Sequence, residues 1–271
     1  MATLSHIAVH PIKALDPVSL DAVSLTDIGG LSGDRAFALV EEDGTYFNGK
    51  QTAEVHSLGA DIDLETNRVT LRPNRDSFQT ERQQSEHTFD LDGDRDALER
   101  WLSTYFGRDL SLEVGAGGSQ TDGVVYGDSS KTGPTLVSAA TLREAASWYD
   151  EITPTEMRLR LRANLVVEGV PAFWEDRLVA DGGRHVQIGD VTLVGTEPIP
   201  RCVVPTRHPH TGEQTAGFRE HFIERREAML PTWADRDAFK GNLYSMTVGT
   251  QIPETEREGE ICVGDDVQLI D

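Results

Sequence analysis

The chain has 271 residues, enough for one large domain or two small ones, and carries 46 acidic against 25 basic residues for a formal net charge of −21. That balance, with no basic stripe anywhere, excludes a nucleic-acid partner, and a 38% hydrophobic content excludes a disordered acidic polymer. No stretch approaches the ~20 apolar residues that span a bilayer and the start lacks a signal-peptide pattern, so a cytoplasmic protein with no membrane partner is expected.

In chain order, residues 4–9, 18–25 and 35–41 read as strands, and Asp43-Gly44 is a hairpin signal leading into Tyr46-Phe47. Residues 68–72 and 87–91 continue the strand pattern. A helix is expected from Asp94, with Leu98, Trp101, Leu102 and Tyr105 on one face and Gly107 as its stop. Residues 110–114 return to strand, and the glycine-rich run 115–123 reads as a flexible loop, because no helix pattern opens behind it as a phosphate-cradling loop requires. In the second half Thr141 is a plausible N-cap with Glu144 completing a capping box, and Leu142, Ala145, Ala146 and Tyr149 share a face. Residues 218–229 form the other helix. Residues 160–167, 185–188, 191–196, 202–206, 243–248 and 267–270 read as strands. The fold class is β-rich, mixed α+β: a small N-terminal β module followed by a larger β-barrel with peripheral helices.

Only four of the 25 basic residues are lysines (Lys13, Lys50, Lys131, Lys240), which leaves 21 arginines, and the acids run through the whole chain. A lysine-poor acidic surface is typical of proteins from high-salt cytoplasm, where a screening length of roughly 3 Å makes such self-repulsion tolerable. A halophilic source is expected.

The two cysteines, Cys202 and Cys262, are sixty apart and form no disulfide framework. Cys262 lies in an apolar strand and reads as core. Cys202 follows Arg201 in a proline-flanked segment, Pro200 to Pro205. A thiolate is both a soft metal ligand and a nucleophile, and the Arg201 charge favours it. The spacing to His208 and His210 raises zinc, but structural zinc takes four protein ligands and the others are not evident.

Six segments occur in a telling order: His10-Pro11-Ile12-Lys13, Gly33-Asp34-Arg35, Tyr126-Gly127-Asp128 ahead of residues 136–142, Arg160 to Val167, the Cys202 segment through Thr211-Gly212, and Ile261 to Val267. The set resembles the MOSC family in its form with an N-terminal MOSC β-barrel domain, a group that includes amidoxime-reducing enzymes. The resemblance covers nearly the whole chain and implies a MOSC N-terminal domain over residues 1–118 and a MOSC domain over 119–271.

It further implies that Cys202 binds the metal of a molybdenum cofactor (a molybdenum-pyranopterin). Lys13 and Arg35 stand at the family's phosphate contacts, and Arg162 and Asn164 at further cofactor contacts, with Ala163 where the family has proline. Arg201 flanks the metal, Ser138 and Thr141 supply hydroxyls near the pterin, and Asp128 is an acidic position suited to proton relay. Lys50, Pro205 and His208 depart from the family's usual residues. The implied activity is reduction of a small N-hydroxylated substrate, N–O cleaved to N–H, with electrons from separate electron-transfer proteins. The alternatives are a sulfur carrier with a Cys202 persulfide, and a cofactor-binding carrier without turnover.

Overall fold

The structure is a computed structural model that describes residues 1–74, 85–115 and 133–270. Its elements are β1 (Thr3–Val9), β2 (Val18–Leu20), β3 (Ala22–Ser24), β4 (Phe37–Glu41), β5 (Leu58–Asp63), β6 (Arg68–Pro73), β7 (His87–Asp90), α1 (Arg95–Phe106) and β8 (Leu110–Val114) in the first half. The second half adds β9 (Thr135–Ser138), α2 (Ala139–Ala146), α3 (Pro154–Leu161), β10 (Leu165–Glu168), β11 (His185–Ile188), β12 (Val191–Pro200), α4 (Phe218–Ala228), β13 (Ser245–Gln251), β14 (Glu260–Cys262) and β15 (Val267–Ile270). The fold is β-rich and mixed α+β. No helix among the described residues is long and apolar enough to cross a membrane.

The main sheet has eight strands in the order β15-β11-β12-β13-β9-β10-β1-β2. It curls until its two sides meet: a Thr3–Asp266 bridge, with Leu4 N–H donating to the Asp265 carbonyl and Val267 N–H to that of Ala2, makes it a nearly closed barrel. Leu4, Ile7, Leu136, Leu165, Leu193 and Ile261 fill its interior. Outside it, α2, α3 and α4 enclose a second core around Met157, Leu161, Phe222 and Tyr244.

The smaller module pairs β4 with β8 and β5-β6-β7 in a separate three-stranded sheet. Helix α1 covers it, burying Leu98, Leu102, Tyr105 and Phe106, with Gly107 closing it at φ 66° in the left-handed conformation that glycine tolerates. Tyr105 brings its hydroxyl inside because it donates to the Ser57 carbonyl at 2.7 Å.

Hydrogen bonding divides the chain differently from a cut at residue 118. β1 and β2 lie in the barrel sheet, β1 pairing with β10, and β3 pairs with β14 in a separate two-stranded ribbon whose Val23 and Ile261 pack in the barrel core. These strands therefore belong with the barrel although they precede most of the module in sequence. Between β1 and β2, Ile12 and Leu15 already pack in the module's core, which the chain joins again from Ala36. The expected boundary itself falls among residues outside the description, as does the glycine-rich run beyond Gly115.

Four local expectations are corrected. Residues 160–161 end helix α3 instead of opening a strand: Thr153 caps its start by accepting from Glu156 N–H, Pro154 sits in its first turn, and Met157 and Leu161, four apart, both turn fully into the core. Helix α2 is capped by Ser138, which accepts from Thr141 N–H at 3.0 Å, so Thr141 lies inside the helix. The segment 202–206 is no strand: β12 ends at Pro200, and Val204–Thr206 form a single turn around Pro205, which has no N–H for a ladder. Cys262 is half-exposed, because in the short strand β14 it is Ile261 that points into the barrel.

Candidate functional site

The segments singled out in sequence converge where the module meets the barrel. The chain leaves β1 at His10 and runs parallel to the start of β4: Arg35 N–H donates to the His10 carbonyl, Phe37 N–H to that of Pro11, and Lys13 N–H to that of Phe37. Two motifs twenty residues apart are thereby laid side by side. Buried Asp34 stitches them, accepting from His10 N–H at 2.7 Å and from the Arg35 guanidinium. Burial alone would raise the Asp34 pKa, but the Arg35 charge beside it holds the carboxyl well below the usual range. Burial pushes His10 down to about 3, so it stays neutral.

From the barrel side, α3 ends at Arg162, whose guanidinium donates to the Leu15 carbonyl at 2.8 Å across the seam. Arg160, 4% exposed, holds the cysteine loop, donating to the Pro205 carbonyl at 2.8 Å, to Thr215 Oγ1 at 3.0 Å and to Glu156 at 2.8 Å. Arg201 is drawn back against the barrel, donating to the Leu161 carbonyl at 3.1 Å and to the Thr247 hydroxyl. Cys202 is half-buried, and its Sγ accepts from Val204 N–H at 3.5 Å. Beyond it the loop is pinned to the module: Arg207 donates to the Gly49 carbonyl at 2.6 Å, His56 Nδ1 lies 3.0 Å from the Pro209 carbonyl, and Asn74 donates to that of His210 at 3.1 Å.

These contacts frame an open cleft, lined from the module by Lys13, Arg35, Gly49, Lys50 and His56 and from the barrel by Arg160, Arg162, Arg201 and Cys202. Six of its fifteen described lining residues are Lys or Arg and none is acidic, in a chain of net charge −21. Concentrated cations beside a thiol suit a multiply charged anion that also offers a soft metal. The backbone carries a second mark. Three cleft residues, Ala14 (φ 75°), Arg35 (φ 53°) and Arg162 (φ 51°), hold the left-handed conformation that costs a non-glycine residue about 1 kcal/mol or more. Only three other non-glycine residues among those described share it. All three stand where the chain turns at the edge of the cleft.

Of the residues expected at the site, Lys13, Arg35, Arg162, Arg201 and Cys202 line the cleft. Ser138, Thr141 and Asn164 do not. The Ser138 and Thr141 hydroxyls, fully buried, bond each other at 2.7 Å, and Thr141 Oγ1 also accepts from Phe173 N–H at 2.6 Å. Asn164 is 1% exposed and knits three strands, accepting from Thr135 N–H at 3.0 Å and donating to the Ala8 carbonyl at 3.0 Å. Their polar atoms are spent on the scaffold. Asp128 lies outside the described residues. Sequence reasoning missed Arg160 and His56; the Arg160-x-Arg162 pair was visible, whereas nothing local marked His56. Among the described residues no three His, Cys, Asp or Glu side chains gather as a metal site.

Comparison with known proteins agrees with this two-module geometry. The model of the MOSC N-terminal beta barrel domain matches residues 1–109, and that of the MOSC domain matches residues 134–268. Mitochondrial amidoxime reducing component 2 of Bos taurus is 26% identical over 304 aligned residues, which cover 98% of this chain and 83% of the relative. The protein of the same name from Rattus norvegicus is 26% identical over 296, with the same coverage.

Proposed function

This chain belongs to the MOSC family, in the form with an N-terminal β-barrel domain, and from that premise we propose that it is a molybdenum-cofactor-dependent oxidoreductase that converts N–O to N–H in small N-hydroxylated compounds. The observation that carries the reading is the cleft, where a protein of net charge −21 gathers six cationic residues around a half-buried thiol.

The residues present fit a phosphate-bearing pterin with a soft metal. Lys13, Arg35 and Arg162 are the groups to hold its anionic end, and Arg forms the bidentate contacts that phosphate favours. Cys202 is the ligand for its metal, held in place by a loop that Arg160 grips through the Pro205 carbonyl. When bound, that group supplies two-electron redox chemistry at the metal. The balanced reaction takes one N-hydroxylated substrate, two electrons and two protons to the N–H product and water. The electrons come from a separate redox protein, and Asp128 is the residue proposed to relay protons. Arg201, tied to Leu161 and Thr247, keeps a fixed positive charge next to Cys202 in the chain.

Molybdenum by elemental analysis and pterin by oxidised-pterin fluorescence, on protein from a cofactor-competent host, test this directly. The expected result is near-stoichiometric metal and pterin, amidoxime reduction with a supplied electron donor, and a loss of turnover of about 100-fold or more in Cys202→Ser. Folded protein lacking both, but carrying cyanide-releasable sulfur that Cys202→Ser abolishes, would replace the reading with a sulfur carrier. Metal and pterin without turnover would leave a cofactor carrier.

A further inference from the structure

One group on the cleft wall is neither cation nor thiol. His56 sits in the short turn Glu54–Ser57 and is 8% exposed. Its Nδ1 lies 3.0 Å from the Pro209 carbonyl, which can only accept, so Nδ1 carries the proton. Nε2 is then a bare lone pair, shut off from water and without a hydrogen-bond partner among the described residues. Burial pushes the ring's pKa down to about 4, the Pro209 bond opposes this, and the Arg162 and Arg207 charges reinforce it. The ring is neutral at pH 7, and Nε2 accepts.

A buried polar atom left without a partner costs on the order of 1–3 kcal/mol, and native structures keep few of them. What stands beside this one is informative. A Cβ on Gly49 would come within 3.4 Å of Nε2 and 3.0 Å of Val204 Cγ2, so a side chain at this position would cover the lone pair and crowd Val204. Gly49 and Val204 line the cleft together with His56. The cations on the other walls can only donate hydrogen bonds; His56 is placed to receive one.

We propose that His56 is a positioning residue whose Nε2 accepts a hydrogen bond from an N–H or O–H of the molecule bound in the cleft. The site then selects a ligand that is anionic in one part and a hydrogen-bond donor in another, which sulfate is not. This rests on the reading of the cleft as a molybdenum-pterin reductase site, where the donor is either a ring N–H of the pterin or the N–OH group of the substrate.

The test compares wild type with three variants. His56→Phe removes the acceptor together with the Pro209 bond, and His56→Gln restores an acceptor. His56→Asn, whose amide N–H stands near Nδ1, keeps the Pro209 bond without the acceptor and should therefore behave as His56→Phe does. Pterin and molybdenum per chain are measured after extensive dialysis, and KM and kcat with benzamidoxime as probe. Pterin content lowered about three- to tenfold in His56→Phe and recovered in His56→Gln puts the donor on the cofactor. Unchanged pterin with KM raised by a similar factor, kcat within about twofold, and recovery in His56→Gln puts it on the substrate. If His56→Phe does not fold, His56→Asn, which removes the Nε2 acceptor and keeps a donor for Pro209, is read the same way. A loaded wild type matched by its variant in pterin content, KM and kcat overturns the proposal alone. A wild type devoid of metal and pterin overturns the reading of the cleft and this proposal with it.

Discussion

Arginine is buried in two parts of this molecule, with opposite outcomes. In the helical layer outside the barrel Arg226 is fully buried against the rings of Phe173 and Phe239, 4.3 and 5.2 Å from their centroids, and its guanidinium meets Asp176 at 2.5 Å with Glu175 next in the chain. Cation, Asp176 carboxylate and aromatic faces there meet within the protein, beside a Glu175 whose oxygens have no well-formed hydrogen bond to a described residue. In the cleft the cations come from two modules, and two of them, Arg35 and Arg162, stand on left-handed backbone. All six line an open volume that no described carboxylate lines, although Arg35 and Arg160 meet Asp34 and Glu156 behind its wall. A cation enclosed with its partner inside one core is architecture, whereas cations gathered from two modules around an open cleft are held for something that binds.

The largest expected effect that sharpens this contrast is Arg226→Met. It leaves Asp176 buried without its partner and should cost about 3–5 kcal/mol in denaturant unfolding, while pterin per folded chain stays at the wild-type level. Next comes Asn164→Ala, which should lower stability by about 2–3 kcal/mol by leaving Thr135 N–H and the Ala8 carbonyl unanswered. If pterin content fell with no loss of stability, Asn164 would belong to the site after all.

Glu175 gives a pH-dependent version. Burial, then the Asp176 charge, raise its pKa from 4.5 to about 7, and neither carboxylate oxygen has a well-formed hydrogen bond to a described residue. Below pH 4.5 the group is protonated in both folded and unfolded chains. Between 4.5 and 7 only the unfolded chain ionises, so stability falls as pH rises and levels off above 7. Glu175→Gln should therefore match wild type near pH 4.5 and exceed it by about 2 kcal/mol at pH 7.5, read from melting curves at both values. The smallest effect on stability is expected in the cleft. Arg162→Gly relieves a φ of 51° while losing the bond to Leu15, so the net change should stay within about 1 kcal/mol. Pterin content should nevertheless fall about tenfold, and an unchanged content would break the comparison.

Much of this was legible in the sequence, for physical reasons that differ by residue. The 3.6-residue period and the Asp94 and Gly107 boundaries specify α1, and two-residue alternation gives 185–188, 110–114 and 267–270 to the residue. Cleft residues such as Arg35 were visible through the family resemblance of their segments, since Gly33-Asp34-Arg35 taken alone reads as a surface ion pair and the structure buries that pair. The misreadings arise where a residue type serves two ends. A hydroxyl at a strand-to-helix junction suits a ligand as well as a cap, and in Ser138 and Thr141 the cap took it. Leu161 looked like strand beside Val166 and Val167 until Met157, one helical turn earlier, shared its burial. His56 was invisible because its partner, Pro209, is 153 positions away.

The swap of strands between the two halves also sets a timetable. β1 can pair with β2 as soon as both are made, but its other edge and its start are fastened only when β10 and then residues 265–267 arrive. At translation speeds of roughly 5–20 residues per second, that is a wait of about 10–50 s. The barrel wall of the cleft is incomplete until those pairings close, and such long-range pairings form slowly. The cleft is therefore among the last features of this fold to take shape, whereas the module beside it is held by contacts closer in sequence.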